Sequence, residues 1–304
     1  MNLASAGDRF PVYDETEALA LIRLRYWQHL LNEMLKAKAF KVPVHLAFGH
    51  EAAAVGVDLT MQTNDALCVT HRNGAYNLAR AKSFARELEH YRLQTTDAKN
   101  GEMGSMNLAM ANTGIAYSSS ILGNNLPVGL GIAMNRKLRR LPGVVFILTG
   151  DGAMEEGVFW ESLVFARSHN LGIVVVLENN NFSLASNIEQ RRCPINLSKV
   201  CGGLQINYRR ASGADLLSVK VALQGAREEA SVGHPSVVEL DIITFNHHSG
   251  PTPGWATDTR RIAIEDGLLM GEDKADPLVR LRDSIGAEKF NQIETRIRQE
   301  RHIV

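Results

Sequence analysis

Two short apolar runs in the middle of the chain, residues 144–148 and 173–177, each end in a polar turn. The first turn is Gly150-Asp151-Gly152 and the second is Glu178-Asn179-Asn180-Asn181, with a segment of helical periodicity between the runs. This order predicts a strand, a helix and a second strand parallel to the first. The acidic turn and the amide turn would then lie at the carboxyl ends of two parallel strands, where open α/β sheets bind ligands.

The rest of the chain also alternates between helical and strand patterns. Apolar positions at a helical period predict a long helix from Glu15 to Phe40, with Asp14 as its N-cap. Further strands are predicted at 68–70, 205–209 and 236–243, and further helices at 52–59, 76–92, from Pro127, from Asp215 to Glu229 and from Asp276-Pro277. These patterns predict an α/β fold with an open, mostly parallel sheet and helices on both faces. We expect a single domain over residues 1–304 with an N-terminal helical extension.

Two segments lack a sustained period. The stretch from Thr95 to Asn125 is rich in Gly, Ser, Asn and Met, and a segment of this length without regular structure is usually functional. The loop from Gly250 to Thr259 contains two prolines and two glycines, and we expect it to be mobile until a ligand orders it. In the helix after Pro127, Gly129, Gly131 and Ala133 form a small-residue face that predicts close packing at a subunit interface.

The composition narrows the classes of protein. Apolar residues make up 45% and charged residues 22%, and 33 basic residues balance 33 acidic ones. This balance argues against a nucleic-acid surface and a polybasic membrane anchor, and no apolar run approaches the length of a membrane span. The three cysteines lack the spacing of a zinc site or a disulfide framework. With no signal-peptide pattern at residues 1–10, a cytoplasmic location is expected.

The side chains of the two turns suit a metal and a phosphate. Asp151 and Asn180 both offer hard oxygen ligands, which Mg²⁺ prefers, and open positions would remain for a diphosphate. The flanking glycines allow close backbone approach, and a helix that begins just after Gly152 would direct its N-terminus at the anion. Each side chain also has a simpler interpretation: the Asp as a helix N-cap and the Asn as part of a turn.

Motifs along most of the chain resemble one family, the alpha subunit of the thiamine diphosphate-dependent 2-oxo acid dehydrogenase first component (pyruvate, branched-chain and acetoin dehydrogenases). The shared order of the motifs is more specific than any one of them. They are His45-Leu46-x-x-Gly49-x-Glu51-Ala52, Thr70-His71-Arg72-Asn73-Gly74, Gly104-Ser105-Met106, Ile121 to Pro127, Asp151-Gly152-x-x-x-Glu156-Gly157, Glu178-Asn179-Asn180, His248-Ser249 and Asp276-Pro277-Leu278.

The resemblance implies the diphosphate-binding half of a thiamine diphosphate-binding fold, with thiamine diphosphate and Mg²⁺ as cofactors. Asp151, Asn180 and the main-chain carbonyl of Phe182 would hold the metal. His45 and His248 would line the reaction side as catalytic residues. The cofactor-binding positions would be His71, Arg72, Ile121, Leu122, Gly150, Asp151, Gly152, Ala153, Asn180 and Phe182.

The same resemblance implies that the active site is incomplete in one chain. Members of the family activate the cofactor with a glutamate from a beta-type subunit, and no second α/β half follows here to supply it. Glu51 lies in a motif that the family uses for structure. We therefore expect a beta-type partner that supplies the catalytic Glu, in an α2β2 assembly, with a 2-oxo acid as substrate and a lipoyl acyltransferase as a further partner.

Departures from the family pattern keep other functions open. His50 replaces the usual Gln, His71 stands where Tyr is usual, Asn107 replaces a His, and the loop after His248 differs. One alternative is a split transketolase-like or carboligase subunit that transfers a two-carbon or acyl unit to an aldehyde or sugar. Another, from a different class, is a non-catalytic scaffold subunit.

Overall fold

The computed structural model describes residues 13–40, 44–91, 112–248, 250–251, 261–271 and 274–300. The strands are β1 Ala66–Val69, β2 Ile115–Ser118, β3 Val145–Gly150, β4 Ile173–Asn179, β5 Phe182–Ser183, β6 Ser186–Asn187, β7 Asn207–Ser212 and β8 Ser236–Asp241. The helices are α1 Glu15–Lys36, α2 Glu51–Thr60, α3 Gly74–Ala81, α4 Phe84–Tyr91, α5 Asn125–Leu138, α6 Gly157–Ser168, α7 Ile188–Arg191, α8 Leu197–Gly203, α9 Leu216–Ser231, α10 Pro277–Ile285 and α11 Ala287–Gln299.

Six strands form one parallel sheet in the order β2-β1-β3-β4-β8-β7. Alternate side chains of its central strands face opposite layers, as the two-residue period of a strand requires. In β3, Phe146 and Leu148 belong to a core shared with α1, α2 and α9, whereas Val145 and Ile147 belong to a core shared with α5, α6 and α8. The predicted open parallel sheet with helices on both faces is confirmed.

The N-terminal helix is part of the main core. Asp14 caps α1 by accepting a hydrogen bond from the Glu17 backbone N–H, as its position before the helix predicts. Arg25 on α1 is fully buried and donates to Glu51 at 2.6 and 2.9 Å and to Asp276 at 2.8 Å. This ion-pair network joins α1, α2 and the start of α10, so Glu51 has the structural role that its motif predicts.

Several predicted boundaries differ from the structure. The helix expected over 76–92 is two helices, because Lys82 at the end of α3 has a left-handed backbone with φ of 53°. Strand β2 lies in a stretch expected to be irregular, and it forms by pairing with β1 rather than from a local apolar pattern. The α-helix expected just after Gly152 begins at Gly157, because residues 151–155 form a 3-10 turn and Glu156 is extended.

The small-residue face of α5 packs within the chain. A Cβ added to Gly129 would lie 2.5 Å from the Cδ1 atom of Ile147, so the glycine brings α5 close to β3. Ala133 is buried in the same layer, while Gly131 is exposed and has nothing within 4 Å of a Cβ position. The prediction of a subunit interface is therefore wrong for Gly129 and Ala133, which pack on the chain's own sheet.

Three predictions fall on residues outside the described ranges and stay predictions. They concern the Gly104-Ser105-Met106 motif, the mobility of the loop up to Thr259, and a single domain that spans both ends of the chain. Among the helices that the structure describes, none is long and apolar enough to cross a membrane.

Candidate active site

Asp151 and Asn180 follow adjacent parallel strands, as the order of apolar runs predicts. β3 ends at Gly150, where it pairs with Glu178 of β4, and Asp151 begins the 3-10 turn. Asn180 follows the last residue of β4. Because both strands end at the same edge of the sheet, both side chains line one cavity there.

The Asp151 carboxyl group is buried and paired. Its Oδ2 atom accepts a hydrogen bond from Arg191 Nη2 at 2.5 Å, and Arg191 also donates to Glu155 at 3.0 Å and to the Ser186 carbonyl at 3.0 Å. Burial raises the pKa of Asp151 above its ordinary value, and the nearby Arg191 guanidinium opposes that rise. The Arg191 guanidinium of α7 therefore supplies the positive charge that compensates the buried Asp151 carboxylate.

The Asn180 side chain is held at both ends. Its Nδ2 group donates to Thr244 Oγ1 at 2.8 Å, and its Oδ1 atom accepts from the Phe182 backbone N–H at 3.1 Å. An amide oxygen has two lone pairs, so one remains after the Phe182 contact. The Phe182 side chain itself is 54% exposed beside the cavity.

All but one of the predicted cofactor and catalytic residues line this cavity. Those that line it are His71, Arg72, Ile121, Leu122, Gly150, Asp151, Gly152, Ala153, Asn180, Phe182 and His248. His45 does not line it but packs against two that do, with ring centroids 5.1 Å from His71 and 5.4 Å from His248. Other lining residues were not predicted as site residues from the sequence, among them His50, Ser119, Asn125, Thr149, Glu178 and Ser183.

Arg72 is buried beside the cavity and fixed by the chain around it. Its Nη1 group donates to the Leu46 carbonyl at 2.8 Å, and its Nη2 group lies 3.0 Å from His248 Nδ1. A guanidinium can only donate, so His248 Nδ1 accepts and a neutral His248 carries its proton on Nε2. Burial lowers the pKa of Arg72, and the Glu178 carboxylate opposes this shift.

His45, His71 and His248 form a compact cluster whose candidate ligand atoms lie within 4.8 Å of one another. Burial, followed by the charge of Arg72, lowers the pKa of His45 and of His71 to about 3 and that of His248 to about 4. All three rings are therefore neutral at physiological pH. Neutral imidazoles next to a cation can accept and donate hydrogen bonds but do not supply positive charge.

A second polar group behind the cavity was not predicted. Glu178 Oε1 accepts from Tyr76 Oη at 2.7 Å and lies 2.8 Å from His50 Nδ1. His50 Nε2 lies 2.7 Å from Thr244 Oγ1, which contacts Asn180. The substitution of His for the usual Gln at position 50 was the only sign of this group in the sequence, and its partners lie more than 100 positions away.

The cavity fits a small anion with a hard cation. Asp151 and Asn180 offer oxygen donors, and the buried Thr149 hydroxyl, which also lines the cavity, has no hydrogen-bond partner among the described residues. The cavity volume is about 80 Å³. Since one water needs roughly 10–15 Å³ by the same measure, this space is large enough for a group of a few heavy atoms such as a diphosphate.

Comparisons with known proteins agree on one family and one fold. The family model described as "Dehydrogenase E1 component" matches residues 23–295. The alpha-1 subunit of a mitochondrial pyruvate dehydrogenase E1 component from Oryza sativa is 26% identical over 283 residues, which cover 91% of this chain and 71% of the relative. The alpha subunit of acetoin:2,6-dichlorophenolindophenol oxidoreductase from Bacillus subtilis is 26% identical over 244 residues, which cover 80% of this chain and 73% of the relative.

Solved structures share the fold at low sequence identity. A transketolase from Campylobacter jejuni has a TM-score of 0.61 at 13% identity and covers 92% of this chain. One from Pichia stipitis has a TM-score of 0.59 at 15% identity and covers 93%. The chain spans 49% and 46% of these two transketolases. This likeness confirms the predicted fold class and says nothing about the reaction.

Proposed function

The chain belongs to the dehydrogenase E1 component family, and from that premise we propose that it is the alpha-type subunit of a thiamine diphosphate-dependent 2-oxo acid dehydrogenase. The observation that carries the proposal is the single cavity that brings Asp151, Asn180 and Arg72 together at the carboxyl edge of the sheet. Two oxygen donors and one buried cation are the groups that a magnesium diphosphate needs.

The residues divide into a metal group and an anion group. Asp151, Asn180 and the Phe182 carbonyl would hold Mg²⁺. The cation of Arg72 would face the diphosphate oxygens together with the Thr149 hydroxyl, which has no hydrogen-bond partner in the part of the chain that the structure describes. When bound, thiamine diphosphate supplies a carbanion that adds to a carbonyl and an electron sink for decarboxylation. The protein's part here is to bind and orient the cofactor's anionic end.

The histidine cluster would serve the reaction side. His45 and His248 are neutral because burial and Arg72 lower their pKa values to about 3 and about 4. A neutral imidazole can pass a proton or donate a hydrogen bond to oxygen. Because it carries no positive charge, it does not compete with the metal site for the diphosphate. His71 lies against both rings and completes this wall of the site.

The second half of the site would come from a beta-type subunit. Of the described residues that line the cavity, the carboxylates are Asp151 and Glu178, and each already has a close partner in Arg191 or His50. The cavity would take the diphosphate end of the cofactor, and Ile121 and Leu122 that line it are 69% and 45% exposed. A partner in an α2β2 assembly would supply the catalytic Glu and cover these apolar side chains.

Co-expression with a beta-type chain tests the proposal. We expect the complex to bind thiamine diphosphate in a Mg²⁺-dependent way by calorimetry and to decarboxylate a 2-oxo acid. Asp151→Ala should abolish binding, whereas Asp283→Ala, on the exposed side of α10, should leave it unchanged. Cofactor binding that is unaffected by Asp151→Ala, or absent from the complex, would support the scaffold alternative instead.

The acyl acceptor is a separate question within the same experiment. Lipoamide reduction would support a dehydrogenase that works with a lipoyl acyltransferase, whereas product formation only with an aldehyde or sugar acceptor would support the carboligase alternative. The chain's likeness to two transketolases concerns the fold and does not favour that alternative. Its cytoplasmic location stays a prediction from the sequence.

A further inference from the structure

A chain of hydrogen bonds runs from a buried carboxylate to the amide of Asn180. Glu178 contacts His50 at 2.8 Å, His50 contacts Thr244 at 2.7 Å, and Thr244 accepts from Asn180 Nδ2 at 2.8 Å. Glu178 and His50 are buried, at 6% and 1% exposure. These contacts join β4, the N-cap of α2 and the segment after β8.

Glu178, the first residue in this series of hydrogen bonds, determines which atom donates and which accepts in each of them. Glu178 Oε1 accepts a hydrogen bond from Tyr76 Oη at 2.7 Å and lies 2.8 Å from His50 Nδ1. A carboxylate oxygen can only accept hydrogen bonds. His50 Nδ1, which faces it, must carry a proton.

Each following group then has one possible role. An imidazole that carries its one proton on Nδ1 can only accept at Nε2, so Thr244 Oγ1 donates its single proton to that atom. The Thr244 oxygen has no further proton and can only accept from Asn180. The amide must therefore present its NH₂ group to Thr244 and turn its oxygen the other way.

We propose that His50 and Thr244 are positioning residues that fix the rotation of the Asn180 side-chain amide, so that its oxygen and not its nitrogen faces the metal. This inference rests on the proposed function, because it concerns the same magnesium ligand. An amide nitrogen has no lone pair to give a hard cation, so a flipped amide removes one metal ligand. The Phe182 backbone N–H, which donates to Asn180 Oδ1, favours the same rotation.

The variant pair Thr244→Val and Thr244→Ser tests the inference. Val removes the hydroxyl at nearly the same volume, and Ser keeps it. In the complex with its beta-type partner at pH 8 and saturating thiamine diphosphate, we expect the calorimetric Kd for Mg²⁺ to rise roughly three- to tenfold in Thr244→Val, the effect of one neutral hydrogen bond. Thr244→Ser should stay within about twofold of the parent protein.

The Asn180→Asp background distinguishes an effect of Thr244 on the rotation of the Asn180 side chain from a general structural effect of Thr244. A carboxylate has two equivalent oxygens, so it presents an oxygen to the metal in either rotation and needs no orientation. Thr244→Val should therefore change the Mg²⁺ Kd much less in the Asn180→Asp background than in the parent. An equal loss in both backgrounds would show a merely structural role for Thr244 and would overturn the inference.

The remaining outcomes are also decisive. If the parent complex binds no Mg²⁺-dependent cofactor, the proposed function fails. If the parent binds and Thr244→Val binds equally well, only the inference fails. His50→Leu removes both ring nitrogens and should raise the Kd for Mg²⁺ as Thr244→Val does, whereas His50→Gln keeps one donor and one acceptor group and should restore most of that loss; this pair gives a second measurement should Thr244→Val not fold. An unchanged Kd in a folded His50→Leu complex would overturn the inference in that case.

Discussion

The Arg191 guanidinium lies 2.5 Å from the Asp151 carboxylate, and the two side chains are 12% and 1% exposed. Asp151 follows directly after strand β3, and Arg191 belongs to α7, which follows the β5–β6 hairpin after β4. The polar segment after Asn180 thus folds back and places the Arg191 guanidinium against the Asp151 carboxylate of the neighbouring turn. Two turns that look independent in the sequence are electrostatically coupled in the structure.

Arg191→Met should destabilise the protein when no metal is present. Removing one partner of a buried pair leaves an uncompensated charge, which typically costs about 3–5 kcal/mol. The loss should be smaller at pH 5 than at pH 8, because the raised pKa of Asp151 rises further without the arginine and protonation removes the unpaired charge. Urea unfolding at the two pH values measures both effects.

Arg282→Met is the matched control for Arg191→Met. Arg282 pairs with Asp283 at 2.9 Å, and the two side chains are 29% and 45% exposed. Exposed pairs contribute at most about 1 kcal/mol, so this change should have little effect at either pH. Equal losses in the two variants would contradict the view that the Asp151 pair is a buried charge pair.

His29 predicts a second pH effect, away from the candidate site. Its ring is buried beside Phe48, neither ring nitrogen has a hydrogen-bond partner among the described residues, and burial lowers its pKa to about 3. The unfolded chain binds a proton on this ring below pH about 6.5, whereas the folded protein does not. Because of His29, the free energy of unfolding therefore decreases as the pH falls from about 6.5 toward 3.

His29→Leu should reduce this acid sensitivity. Between pH 6.5 and 5, the free energy of unfolding of the parent should fall relative to the variant by roughly 1.5–2 kcal/mol, the effect of one proton taken up on unfolding. Chemical denaturation across this pH range provides the measurement. His234→Leu replaces an exposed histidine and serves as control. Parallel stability curves for His29→Leu and the parent would show that His29 is not the titrating group.

The sequence predicts the positions of Asp151 and Asn180 well because the signals are local. Apolar runs of strand length and the polar turns that follow them lie within a few residues of each other, and parallel strands bring their ends together. The start of α6 was less predictable. Residues 153–156 are Ala, Met, Glu and Glu, which all favour a helix, and only the structure shows the 3-10 turn and the extended Glu156 there.

The polar partners of the site could not be predicted because they depend on long-range contacts. His50 is 128 positions from Glu178 and 194 from Thr244, and no local pattern links them. Strand β2 was missed for a related reason, since Ile115–Ser118 becomes a strand through its pairing with β1. Family resemblance identified many of the residues that line the cavity, but not the hydrogen bonds that orient them.

The turn around Gly152 gives the last prediction, because a side chain there has no room. A Cβ at Gly152 would lie 2.6 Å from Ser183 Oγ and 2.9 Å from Ser183 Cβ, whereas at Gly150 the nearest atom is 3.9 Å away. Gly152→Ala should therefore push the β5–β6 hairpin from the first turn and cost about 1–3 kcal/mol of stability.

Ser183→Gly should restore most of this loss when combined with Gly152→Ala, because it removes both atoms that the new methyl group meets. Thermal unfolding of the two single variants and the double variant measures the coupling between the positions. Gly131→Ala is the control, since its Cβ position on the exposed face of α5 is open and alanine favours a helix. Losses that simply add in the double variant would mean that Gly152→Ala destabilises the protein for a reason other than its contact with Ser183.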